Sequence, residues 1–173
     1  MKKIIIILFV LFLIIPFGLK SQTMRHVKGN QSIDVTAHLT AFSPAYSVGF
    51  SNYFKEKLIG KLKLNYESGR IGISDYTAVL LMPSVTYTPF NFKSIAFFNL
   101  EGGIVLGMEK GSNESFIENI NTFIYGINLG SEVEIFIGSK IALLVNFNEI
   151  ITFSSKFGNA RYQIGSGVRI FIK

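Results

Sequence analysis

Residues 122–137, TFIYGINLGSEVEIFI, decide how the chain folds. Phe123, Tyr125, Ile127, Leu129, Val133, Ile135 and Ile137 stand at alternate positions, with Ser131 among them; Gly126, Asn128, Gly130, Glu132 and Glu134 lie between. Successive side chains of a strand point to opposite faces, so a period of two describes one apolar face and one small or polar face. The pattern recurs in Leu58–Glu67, where Leu58, Leu62, Leu64 and Tyr66 oppose Lys61, Lys63, Asn65 and Glu67. It recurs again in Tyr162–Ile172, which separates Ile164, Val168, Ile170 and Ile172 from Gln163, Gly165, Gly167 and Arg169.

Extended along the chain, this periodicity predicts strands over 31–42, 45–54, 58–68, 76–88, 94–108, 122–137, 141–153 and 161–172. Connections at 55–57, 89–93 and 138–140 are tight, and those at 69–75, 109–121 and 154–160 are longer and more polar; the Ser43–Pro44 link is short where the alternation asks for a long one. A membrane-crossing strand needs about 9–11 residues, against about 5–6 in a soluble sheet. Most of these segments reach the longer figure. Closure of the sheet is what satisfies strand N–H and C=O groups in lipid. The expected fold is therefore all-β: an eight-stranded antiparallel outer-membrane barrel, with short turns at one end and longer loops at the other. Aromatic residues near the strand ends, among them Tyr46, Phe54, Tyr66, Tyr76, Tyr87, Phe90, Phe92, Phe123, Phe153, Tyr162 and Phe171, fit interfacial girdles. Core packing in a soluble sheet would also account for them.

Upstream, Met1–Lys3 supply a short positive region and Ile4–Gly18 an apolar run broken by Pro16, followed by Ser21. This is the order of a secretory signal peptide, and the run is shorter than the roughly 20 residues that span a bilayer as a helix. The reading gives a cleaved signal over 1–21, a short periplasmic segment over 22–30 and a barrel domain over 31–173. An uncleaved inner-membrane anchor is the competing reading of residues 1–21.

Composition narrows the chemistry. The 173 residues include 17 Phe and 7 Tyr but no Cys, which removes disulfides, thiolate metal sites, a thiol nucleophile and the lipidated cysteine of a lipoprotein. The formal charge is +6, but Lys2, Lys3 and Lys20 lie in the leader. Without them 14 basic residues face 11 acidic ones, too even a balance for a nucleic-acid footprint. The glycines Gly102, Gly103, Gly126, Gly130, Gly165 and Gly167 form no P-loop or dinucleotide fingerprint and suit the crowded bends of a small barrel.

An eight-stranded barrel is just wide enough for side chains to fill it. On the register above, Lys61, Lys63, Glu67, Glu101, Glu132, Glu134 and Arg169 point inward. They form either a salt-bridged plug or a path for protons or ions, and the near balance of signs favours the plug. His26 reads as an exposed tail residue and His38 as a barrel-wall residue; neither has metal-ligand spacing to another His. No catalytic, cofactor-binding or metal-ligating set is expected. The segment Glu109–Asn121, the longest connection, reads as either a partner-binding loop or a mobile outer loop.

The order of these features resembles the TraO family of conjugal transfer proteins. The resemblance rests on Gln22, the stretch Met24-Arg25-His26-Val27-Lys28-Gly29, and Ser32-Ile33-Asp34-Val35. It rests further on Asn121–Glu134, Ile135–Lys140 with Ile141–Val145 beyond, and Tyr162–Ile170 with its Val168-Arg169 pair. It implies a non-enzymatic, structural or accessory component of a conjugative transfer apparatus in the outer membrane of a Gram-negative bacterium. Its partners would be membrane lipid and other transfer proteins, with neither direct nucleic acid nor a small-molecule substrate. The alternatives are a stand-alone barrel for adhesion or envelope integrity and, third, a lipid-modifying barrel enzyme.

Overall fold

A computed structural model describes residues 26–40, 43–71, 74–113 and 116–172. The expected signal over 1–21, and residues 22–25 after it, lie outside the described residues. Eight strands run in order: β1 Gln31–Thr40, β2 Pro44–Lys55, β3 Leu58–Ile71, β4 Ser74–Phe92, β5 Ala96–Asn113, β6 Phe116–Phe136, β7 Ile141–Thr152 and β8 Ala160–Phe171. Each pairs antiparallel with the next, and β8 returns to β1, closing the barrel. No backbone edge is left open along the wall, as the alternation of the sequence required.

The two faces separate cleanly. In β1 the outward Ile33, Val35 and Leu39 alternate with the buried Ser32, Asp34, Thr36 and His38. Across the barrel, Val48, Leu64, Leu100, Leu129, Val145 and Ile170 are likewise exposed, while charged and amide side chains are buried. The exterior is apolar, while the interior holds the charged and amide side chains between two apolar clusters. Exposed charges stand toward the two rims, at Arg70, Asp75, Lys110 and Glu149 toward the long-loop end and at Lys55, Lys57, Lys93 and Lys140 at the short-turn end.

Several strand ends run further than apolar alternation predicts. β3 reaches Ile71 and β4 begins at Ser74, so most of the expected 69–75 loop is ladder, with Gly69 opposite Tyr76 and Arg70 opposite Asp75. β5 continues to Asn113 and β6 begins at Phe116, which makes the expected loop 109–121 a projecting hairpin. Backbone pairing continues there although the sequence of 109–121 carries no period-two apolar stripe to announce it. β4 also extends to Phe92 and carries a bulge between Tyr87 and Phe90, where Pro89 has no N–H to give the ladder. The turn that follows holds Lys93 and Ser94 at positive φ, 49° and 55°. The Ser43–Pro44 link is short, as expected, and Thr40 closes it by bonding the Ser43 carbonyl through its N–H and its hydroxyl, at 3.0 and 2.7 Å.

Two of the expected girdle aromatics do not face outward. Tyr76 and Phe171 are 1% and 5% exposed and fill the interior. Proximity to a strand end was the only ground for placing them outside, and the position along a strand does not set the face; parity does. Tyr46, Phe54, Tyr66, Tyr87, Phe90, Phe92, Phe123, Phe153 and Tyr162 are exposed as expected.

Candidate functional site: a closed, charged interior

Inward parity brings Lys61 and Lys63 from β3, Glu101 from β5, Glu132 and Glu134 from β6 and Arg169 from β8 into one network, as the sequence predicted. Arg169 is its hub. Its Nε and Nη2 donate to Asp34 Oδ1 and Oδ2 at 2.7 and 2.8 Å, its Nη1 donates to Glu134 Oε2 at 2.7 Å, and Nη2 also lies 3.1 Å from Glu132 Oε1. Lys61 Nζ donates to both oxygens of Glu132 at 2.9 and 3.0 Å and lies 3.5 Å from Glu101 Oε2. Lys63 Nζ pairs with Glu101 Oε1 at 2.5 Å. Neutral amides complete the set: Asn99 Nδ2 donates to Glu132 Oε1 at 3.1 Å and Asn128 Nδ2 to Glu101 Oε1 at 3.0 Å. Every cation therefore meets at least one carboxylate, which is what burial of charge demands.

Glu67, expected in this group, belongs to a second network nearer the long-loop end. There Arg161 Nη2 donates to Glu109 Oε2 at 2.6 Å, and its Nη1 lies 3.5 Å from Glu67 Oε2. Arg161 also bonds the Tyr76 hydroxyl, while Gln163 Nε2 donates to Glu67 Oε1 at 2.7 Å. Along the β1–β2 wall, Thr36, His38 and Ser47 bond one another, with His38 Nε2 at 2.7 Å from Thr36 Oγ1 and 3.1 Å from Ser47 Oγ. His38 is thus on a wall strand, as read, with its ring turned inward. Among the described residues no cluster of His, Asp and Glu is placed to hold a metal ion.

Both mouths are stoppered. At the short-turn end His26, expected to be an exposed tail residue, is 4% exposed. Its ring stacks on Phe97 at 4.0 Å between centroids and 10° between planes, and its Nε2 is hydrogen-bonded to Glu134 Oε2 at 2.9 Å. Tyr53, Phe136, Phe171 and Ile59 complete this aromatic stopper. The reason for the correction is geometric: Gly29, at φ 89°, donates its N–H to the Tyr53 carbonyl at 2.8 Å, and the segment before β1 turns back into the barrel. At the opposite end the β7–β8 connection folds over the opening. Lys156 N–H donates to Glu109 Oε1 at 2.8 Å, Ser155 Oγ donates to Glu109 Oε2 at 2.9 Å, and Phe157 packs on Tyr76 with centroids 5.2 Å apart. Beneath lie Leu80, Met82, Val105, Ile124 and Ile150.

Sequence reading missed Asp34, Glu109 and Arg161. Parity alone could have found Asp34, which sits between Ile33 and Val35. Glu109 falls in the expected 109–121 connection and Arg161 is the first residue of the expected 161–172 strand, where alternation carries little weight.

Comparison with known proteins agrees with this architecture. The family model described as conjugative transposon protein TraO matches residues 107–172, which bears out the resemblance drawn from the sequence. No curated protein matches the chain in sequence. Among solved structures, the N-terminal β-barrel domain of Pseudomonas aeruginosa OprF is similar with a TM-score of 0.66 at 11% identity, covering 84% of this chain and 98% of that one. Neisserial surface protein A is similar at 0.64 and 13% identity, covering 82% and 95% respectively. The outer membrane protein OprG of P. aeruginosa gives 0.60 at 9% identity, covering 86% and 99%. At such identities the likeness is one of fold.

Proposed function

We propose that this chain, matched over residues 107–172 by the conjugative transposon protein TraO family model, is a non-enzymatic outer-membrane component of a conjugative transfer apparatus with a structural or accessory role. The family match over residues 107–172 is the observation that carries the reading. The interior supports the structural part of it: charges pair with charges, and both mouths are filled by side chains, so the barrel serves as a rigid body rather than an open conduit. The outward apolar face supports residence in lipid, where a closed sheet leaves no backbone group unpaired. Cleavage of residues 1–21 and delivery of residues 22–30 to the periplasm belong to the same proposal, as do protein partners drawn from the transfer apparatus.

A clean deletion with complementation, scored in a mating assay beside membrane fractionation, tests this reading. Transfer frequency should fall on deletion and return with the gene, and the protein should fractionate with the outer membrane. Unchanged transfer frequency would remove the conjugative role and leave a stand-alone envelope barrel.

A further inference from the structure

The outer face over β3–β6 carries a groove of roughly 630 Å³, floored by Leu64, Val79, Leu81, Leu106 and Met108 and bounded by Phe123. Its upper end is polar: Thr77 and Lys110 line it. These two are cross-strand partners, and Lys110 is in turn opposite Asn121 on β6. Lys110 is exposed and makes no ion pair with the described residues, whereas the neighbouring outer-face cation, Arg70, is neutralised by Asp75 at 2.8 Å. An apolar trough of this size running away from an exposed ammonium that no described carboxylate pairs, at the long-loop end, has two complementary requirements. The trough takes hydrocarbon, and the ammonium takes an anion.

We propose that this groove is a specific site for a phosphate-bearing acyl glycolipid of the outer leaflet, with one acyl chain along Val79, Leu81 and Leu106 and the phosphate at Lys110 and Thr77. The inference rests on the outer-membrane part of the reading above. Long loops of such barrels face outward, which puts Lys110 at the level of outer-leaflet headgroups. A charge-assisted hydrogen bond from the ammonium gives selectivity for phosphate that the apolar trough alone does not supply.

The test extracts the full-length protein from outer membranes in mild detergent and weighs it by native mass spectrometry. Wild type should retain one phosphorylated glycolipid. Lys110→Ala should retain it roughly tenfold less well, the worth of one charged hydrogen bond. Leu106→Trp should exclude it by filling the trough while the headgroup contact remains. Folding is followed separately by the heat-dependent shift in electrophoretic mobility, and if Leu106→Trp does not fold, Lys110→Ala carries the decision. Absence of lipid on wild type, equal retention by wild type and Lys110→Ala, retention of phospholipid in place of glycolipid, or a second protein chain in the groove would each overturn the site. Recovery of wild type in the soluble fraction would instead sink the outer-membrane reading itself.

Discussion

Arg169 and Asp34 face each other across the seam where β8 meets β1, joined by two parallel hydrogen bonds of 2.7 and 2.8 Å. They are separated by 135 residues of sequence, and only closure of the barrel makes them neighbours. The same guanidinium reaches Glu132 and Glu134 on β6, so one side chain ties the first strand, the last and the sixth.

Removal of Arg169 should therefore be the most damaging single change in the interior. Arg169→Ala leaves three buried carboxylates short of a partner and should cost about 3–5 kcal/mol. Urea unfolding of the refolded barrel in vesicles measures it. A loss no greater than that from breaking an exposed pair such as Arg70–Asp75 would refute the hub role.

The stoppered mouths predict a barrel that does not conduct. The double variant Glu132→Gln, Glu134→Gln should unfold at a lower temperature than wild type while bilayer recordings stay silent for both. A large change in conductance would show that these carboxylates line a path.

His26→Ala should loosen the short-turn stopper without opening the barrel. Loss of the stacking on Phe97 and of one hydrogen bond to Glu134 should cost about 1–2 kcal/mol. Hydrogen exchange reads it locally, as faster exchange of the Gly29 amide now bonded to the Tyr53 carbonyl. Unchanged protection there would mean that the segment is held by its backbone alone.

Gly165 stands where a side chain cannot. A Cβ at this position would lie 2.5 Å from His38 Nδ1 and from the Ala37 carbonyl oxygen. Gly165→Ala should push the His38 ring out of its contact with Thr36 and Ser47 and destabilise by about 1–3 kcal/mol. Combining it with His38→Ala should recover part of that loss, and additive losses would show that the backbone contact dominates.

Outside, Val145 lies midway along β7 with an apolar, exposed side chain. Val145→Arg should destabilise the barrel in vesicles by about 2–4 kcal/mol, the depth-dependent cost of a guanidinium against hydrocarbon. A change within about 0.5 kcal/mol, usual for a water-exposed surface site, would argue that this face meets water.

Alternation along the chain, clearest over 122–137, 58–67 and 162–172, determined the strands, their number, and the inward placement of Lys61, Lys63, Glu67, Glu101, Glu132, Glu134 and Arg169. That information is local, because parity along one strand fixes the face of every residue in it. Near the strand ends it gave less: Glu109 reads as loop and His26 as tail, where no alternation runs, while Tyr76 and Phe171 read as girdle on proximity to a strand end, although parity with Arg169 sets Phe171 inward. Which inward group meets which was never written in the alternation. The stagger between strands and the closure of β8 onto β1 decided that Arg169 takes Asp34, that Glu67 sits with Arg161 instead of Lys61, and that His26 caps Glu134. Parity requires only neighbours along the chain; pairing requires the ring to close.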